Sequence, residues 1–172
     1  MHAELKRRKL ASLTPAQAAV AARGGFFNRA VLLDVREPEQ FAAGHAAGAI
    51  NVPLYTLLRE PEDGFDRLRQ FYFGLFGLSV PVRNLDFAKQ VAAAAGSRSA
   101  TVVLLCQNGG TLETKEERKA RNPRLPKPIY GKWGAASRSL MGAAELYEAG
   151  FSQLRHVAGG YSQWCTDGEA TE

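Results

Sequence analysis

The sequence predicts an α/β domain built on an open parallel sheet. Two short runs, Ala30–Val35 and Thr101–Leu105, are apolar throughout, as strands covered on both faces must be. Segments with helical start and stop signals alternate with them, which implies βαβ units joined by right-handed crossovers. The chain has 172 residues, 45% of them hydrophobic and 23% charged, enough for one domain that needs no disulfide staples.

In chain order, Thr14-Pro15-Ala16-Gln17 opens the first clear helix. Thr14 is a cap, Pro15 suits the first helical position and Gln17 completes a capping box. Gly24-Gly25 ends it after Arg23. The strand Ala30–Val35 carries Asp34 near its end, a short helix follows from Pro38, and Ala49–Val52 reads as a short strand. Thr56–Asn84 is ambiguous, a charged helical stretch running into an aromatic insert that includes Phe71, Tyr72, Phe73 and Phe76. That insert reads as a hydrophobic lid over the core; left exposed, it would mark a docking surface. Asp86–Ala95 is a helix stopped by Gly96, and Thr101–Leu105 delivers Cys106 at its carboxyl end. Ser137–Ala149 is a helix capped by Ser137, Leu154–Val157 a strand, and Gly159-Gly160 turns into a last helical piece. Ligands of open parallel sheets sit beyond the carboxyl ends of the strands, which is where Cys106 falls.

Composition narrows the function. Disorder is excluded by the apolar content, and the longest nearly apolar run, Phe71–Val82, is too short to span a bilayer. Two cysteines, Cys106 and Cys165, give neither a disulfide framework nor paired ligand spacing, which points to a reducing compartment. With three scattered histidines, no metal site and no cofactor is expected. The net charge of +5 is local: residues 113–132 hold seven cations against three anions, and residues 1–9 hold four against one. The first 13 residues read as a basic tail outside the domain at 14–172. Met1–Leu10 is too short for a transit peptide. Solvated charged segments and attraction to anions both stay open, with nucleic acid not favoured.

Further motifs specify a family. Leu33-Asp34-Val35-Arg36-Glu37-Pro38, then Gly44-His45 and Gly48-Ala49-Ile50-Asn51-Val52-Pro53, resembles the first signature of the rhodanese-like superfamily. Cys106 after its strand, Ser137-Arg138-Ser139-Leu140, Gly150-Phe151 and Gly159-Gly160 before Trp164 resemble the second. The aromatic insert (about 65–84) and the long insertion after Cys106 (about 112–136) resemble single-domain plastid members from plants and green algae. The resemblance implies a five-stranded parallel sheet with helices on both faces, a chloroplast address, and a cysteine that carries sulfane sulfur as a persulfide.

Cys106 is then the sulfur carrier, its thiolate requiring positive charge or converging backbone N–H groups. Gln107, Asn108, Gly109 and Gly110 form a loop able to supply them. The family loop is Cys-x-x-Gly-x-Arg; here Thr111 holds the arginine position, and the matching residue is Arg138, beyond the insertion. If the insertion returns, Arg138 lies at a helix N-terminus beside the cysteine. Asp34 reads as a structural partner of Arg36 that fixes a turn, with Arg36 divided between that role and positive potential at the site. His45 reads as closing a turn through the backbone.

Two functions remain. One is a sulfurtransferase using a small thiosulfate-type anionic donor and a thiophilic acceptor. The other is a rhodanese-like binding module, weakly active or inactive, docked on a larger plastid protein assembly through the 112–136 insertion or the aromatic insert. A phosphatase on the same fold needs Cys-x5-Arg, and Leu112 occupies that arginine position.

Overall fold

A computed structural model describes residues 1–24, 30–57, 63–75, 80–113 and 137–172. Its main sheet has five strands: β1 (Ala11–Leu13), β2 (Val31–Asp34), β3 (Ile50–Asn51), β6 (Val102–Leu105) and β7 (Leu154–Val157). They are ordered β1-β7-β6-β2-β3, and every pairing is parallel. Central β6 is buried along its whole length, which explains its uninterrupted apolar sequence. The excursion between β3 and the helix before β6 carries a separate antiparallel ribbon, β4 (Tyr55–Leu57) with β5 (Pro81–Arg83).

Among the described residues the helices are α1 (His2–Arg7), α2 (Pro15–Arg23), α3 (Pro38–Ala42), α4 (Gly64–Gly74), α5 (Phe87–Ala95), α6 (Arg138–Glu148) and α7 (Gly160–Thr166). They divide the core into two layers. Val102, Leu104 and Cys106 face a cluster with Phe87 and Val91 of α5 and with Leu140, Ala143 and Leu146 of α6. Val103 and Leu105 face the other cluster, with Ala18, Ala19 and Ala22 of α2 and with Trp164 of α7. The two-residue period of a strand therefore aims Cys106 at the layer that holds α6.

The capping box forms as the sequence implies, with Thr14 and Gln17 bonding each other's backbone amides. Residues 1–13 are not a tail, and that expectation is corrected. Leu5 of α1 is fully buried in the α5/α6 layer, and Ala11–Leu13 pair with Arg155–Val157 as an edge strand. The charges line the outside: Arg7 and Arg8 both reach Glu4, and Arg8 lies over the Tyr147 ring at 5.1 Å. Burial of two leucines, Leu5 and Leu10, and three parallel pairings outweigh the cationic composition.

The lid expectation is also corrected for the described part of the insert. Phe71, Tyr72 and Leu75 are exposed, as are Phe65 and Leu68 earlier in α4. Phe76 lies outside the described residues, as do positions 114–136 of the insertion.

One buried polar group links β1 to β7. His156 is fully buried, and its Nε2 lies 2.6 Å from Ser12 Oγ across the pairing. Burial pushes its pKa down to about 4 from the ordinary 6.5. Between those values the unfolded chain binds the proton and the folded one does not, so stability falls as pH drops through that window and is constant above it. The loss is on the order of 3 kcal/mol by pH 4. Melting temperature measured from pH 7 to pH 4 is expected to fall, and His156→Gln is expected to flatten that dependence.

Candidate active site around Cys106

Cys106 continues the alternation of β6 and is 3% exposed. Its thiol lies 3.3 Å from Ser139 Oγ and 3.6 Å from the Gly109 carbonyl oxygen. Ser139 Oγ in turn donates to that carbonyl at 2.9 Å, closing a triangle of thiol, hydroxyl and carbonyl. Ser139 stands in the first turn of α6, which Ser137 caps by accepting from the Leu140 amide. The chain thus returns after the insertion to put the start of α6 against the cysteine.

The loop after Cys106 is held from the other side by α7. The amides of Tyr161 and Ser162 donate to the carbonyls of Cys106 and Gln107 at 2.8 and 3.0 Å. A helix start leaves such amides without intrahelical partners, and the cysteine loop supplies them. The approach is so close that glycine is required twice. A Cβ on Gly160 (φ +61) would lie 2.2 Å from the Cys106 oxygen, and one on Gly109 (φ +73) 2.4 Å from the Gly159 nitrogen.

Arg36, 2% exposed, fixes the loop laterally. Its guanidinium bonds both carboxylate oxygens of Asp34, the Gly44 carbonyl and Gln107 Oε1. It also lies 3.9 Å from the centre of the Tyr161 ring. Asn51 on β3 bonds the carbonyls of Asp34 and Arg36 and pins the same turn. Ser162 links the side chains of Gln107 and Asn108. Gly110 has φ +111, and its amide donates to the Asn108 carbonyl.

The remaining candidates have other partners. Arg138, at the first position of α6, turns its guanidinium to Glu37 in a two-pronged contact at 2.5 and 2.6 Å. Its side chain is 35% exposed, that of Glu37 only 10%. His45 stacks on Phe41, with Nδ1 3.0 Å from the Phe41 carbonyl oxygen and its backbone paired with Glu172. Cys165 is exposed on α7. A cavity of about 500 Å³ lies away from the cysteine loop, between α1 and α6, lined by Glu4, Arg8, Arg83, Met141, Glu145 and Tyr147 among others. Among the described residues no cluster of His, Cys, Asp or Glu could hold a metal ion.

Sequence reasoning missed Ser139, Glu37 and Tyr161 as parts of this site. Ser139 had a signal, a lone hydroxyl among residues facing the core in α6. Glu37 and Tyr161 had none, because their partners are distant in sequence.

Residues 18–167 match the family model described as the rhodanese-like domain. The chain belongs to the rhodanese-like family. Its sequence is 33% identical over 146 residues to rhodanese-like domain-containing protein 14, chloroplastic, of Arabidopsis thaliana, covering 84% of this chain and 58% of that protein. It is 31% identical over 140 residues to thiosulfate sulfurtransferase 16, chloroplastic, of the same plant, covering 81% of this chain and 78% of that one. Among solved structures, the fold is similar to a thiosulfate sulfurtransferase from Pseudomonas aeruginosa, with TM-score 0.51 and 18% identity over 99% of this chain and 22% of that one. A Bacillus halodurans structure gives TM-score 0.52 and 15% identity over 99% of this chain and 82% of that one. The rhodanese-like fold, a parallel five-stranded sheet between helical layers, is therefore shared.

The glycine contacts generate a test. Gly109→Ala and Gly160→Ala each combine a left-handed backbone with a clash against main-chain atoms that have no side-chain freedom to yield. Each is expected to cost about 2–4 kcal/mol in denaturant unfolding. Gly150→Ala, at φ +90 with nothing within 4 Å of the added atom, is expected to cost less.

Proposed function

We propose that this rhodanese-like protein is a sulfurtransferase that carries sulfane sulfur on Cys106. The observation that supports the reading most directly is the thiol–Ser139–Gly109 triangle at the start of α6. In the resting state the thiol can donate to the serine oxygen while the serine donates to the carbonyl. On loss of the thiol proton the hydroxyl can rotate to donate to the thiolate, and the first turn of α6 favours negative charge there. A single side chain can thus stabilise both protonation states.

The thiolate attacks the outer sulfur of a thiosulfate-type donor. A Cys106 Sγ–S bond forms as the donor's S–S bond breaks, and sulfite leaves with that electron pair. A thiophilic acceptor then attacks the terminal sulfur of the persulfide, and Cys106 returns as thiolate. No net oxidation of the protein occurs. Arg36 acts from behind, holding Gln107 and so the loop, while its own charge is matched by Asp34. Arg138 binds the anionic donor at the mouth of the site, exchanging part of its contact with Glu37 for the donor's oxygens. Two plant relatives named as chloroplastic support a plastid location for this chain as well.

Purified protein treated with thiosulfate is expected to gain one sulfur atom, seen by intact mass and removed by cyanide. Cys106→Ser is expected to abolish the gain and Cys165→Ser to retain it; an adduct on Cys165 alone overturns the assignment. Cys106→Ser also separates this reading from a non-catalytic module, which would acquire no sulfur in either form.

Arg138→Ala is expected to lower kcat/KM for anionic donors by about 10-fold or more, since a charge-assisted hydrogen bond is worth about 1.5–3 kcal/mol. Lysine at the same position is expected to restore part of it, lacking the planar fork. Unchanged kinetics would assign Arg138 to the Glu37 contact alone.

A further inference from the structure

The helix α4 lies outside both core layers. Each of its side chains placed in the structure is exposed or half-buried. Phe65, Leu68, Phe71, Tyr72 and Leu75 are between 61% and 67% exposed. Their spacing, with Leu68, Tyr72 and Leu75 three, seven and ten positions after Phe65, gathers them into one stripe along the helix. At about 200 Å² for each full side chain, the stripe exposes on the order of 600 Å² of apolar surface, the upper end of what a monomer leaves in water. An 11-residue helix is also marginal by itself, so a surface that covers the stripe would stabilise it.

The charges decide what that surface is. Arg67 lies one turn before Phe71, and Arg69 one turn after Phe65, so a cation flanks each edge of the stripe. Arg69 rests over the Phe65 ring at 5.8 Å and pairs with Asp66 at 3.5 Å. Asp66 is half-buried, on the side of the helix opposite Leu68 and Leu75, and Asp63 caps the helix start by accepting from the Asp66 amide. A second copy is a poor match, because two-fold antiparallel pairing sets each edge against its own image and brings arginine to arginine. An anionic, flat and apolar-centred surface matches both features. Aromatic and leucine side chains enter it while the arginines stay at its charged boundary.

We infer that α4 is a peripheral membrane anchor, which lies in the plane of an anionic lipid surface with Phe65, Leu68, Phe71, Tyr72 and Leu75 inserted. It spans nothing: among the described residues no helix is long and apolar enough to cross a membrane. The anchor is separate from the cysteine site, and its test does not depend on sulfur transfer.

The full chain is incubated with vesicles of phosphatidylcholine and phosphatidylglycerol in equal parts, or of phosphatidylcholine alone, and sedimented. It is expected to sediment with the anionic vesicles, less so at high salt, and weakly or not at all with the neutral ones. Leu68→Glu with Phe71→Glu is expected to reduce the bound fraction at least about 10-fold without moving the melting temperature, because both side chains are already in water. Should that pair disturb folding, Leu68→Ala with Phe71→Ala keeps the helix and is expected to weaken binding in the same direction. Arg67→Gln with Arg69→Gln is expected to remove most of the salt dependence. The inference is overturned if the protein stays in solution with anionic vesicles, or if the stripe variants bind as well as the parent. It is equally overturned if the stripe instead mediates a vesicle-independent dimer or a soluble acidic partner, either outcome leaving lipid unbound.

Discussion

The contact on which the site depends is the one between the start of α7 and the loop after Cys106. Two amides of one helix turn meet two carbonyls of the loop, and two glycines remove the side-chain atoms that would keep the backbones apart. Helix amides need acceptors, and a strand end offers carbonyls that no neighbouring strand takes. Each element therefore satisfies the other. Once they are locked, the direction of Cys106 follows from β6, and the start of α6 can close over it through Ser139. The buried pair of Asp34 and Arg36 is secondary to this contact: it holds Gln107, while the thiol has Ser139 and Gly109 as neighbours.

The two faces of the sheet divide the work. Even-numbered positions of β2 carry Asp34 toward Arg36 and the Tyr161 ring, in the α7 layer, while even-numbered positions of β6 carry Cys106 toward α6. The buried ion pair and the Cys106 thiol are thus placed on opposite sides of one backbone layer. Removing Asp34 would leave a buried cation without its counter-ion, a loss of about 3–5 kcal/mol by general experience, and the damage would reach the sulfur only through the loop.

Much of this was legible because it is written locally. Apolar runs, the capping box at Thr14, the strand-end position of Cys106 and the short-range closeness of Asp34 and Arg36 all lie within a few residues of one another. The contact of Arg138 with Glu37 is not local, and sequence alone placed the arginine beside the sulfur without its partner. β1 was hidden for another reason. Ala11 and Ser12 are exposed, as an edge strand allows, and the preceding cationic turn resembles a solvated segment. The aromatic residues of α4 misled in the opposite sense, because hydrophobicity states that a side chain resists water, not which surface will cover it.

The placement of β1 carries a consequence for the life of the chain. β7 is an interior strand only because residues 11–13 lie beside it. Lys9, at φ +55 the one non-glycine residue with a positive φ among the described residues, turns the chain from α1 toward β1. Were β1 to detach from the sheet, β7 would become an edge, with the backbone of Leu154–Val157 offered to any extended chain nearby. The strand is short and largely buried, so its new neighbour would most readily be β1 of another molecule, exchanged rather than newly evolved. Residues 11–13 thus serve as a guard against promiscuous strand pairing on β7.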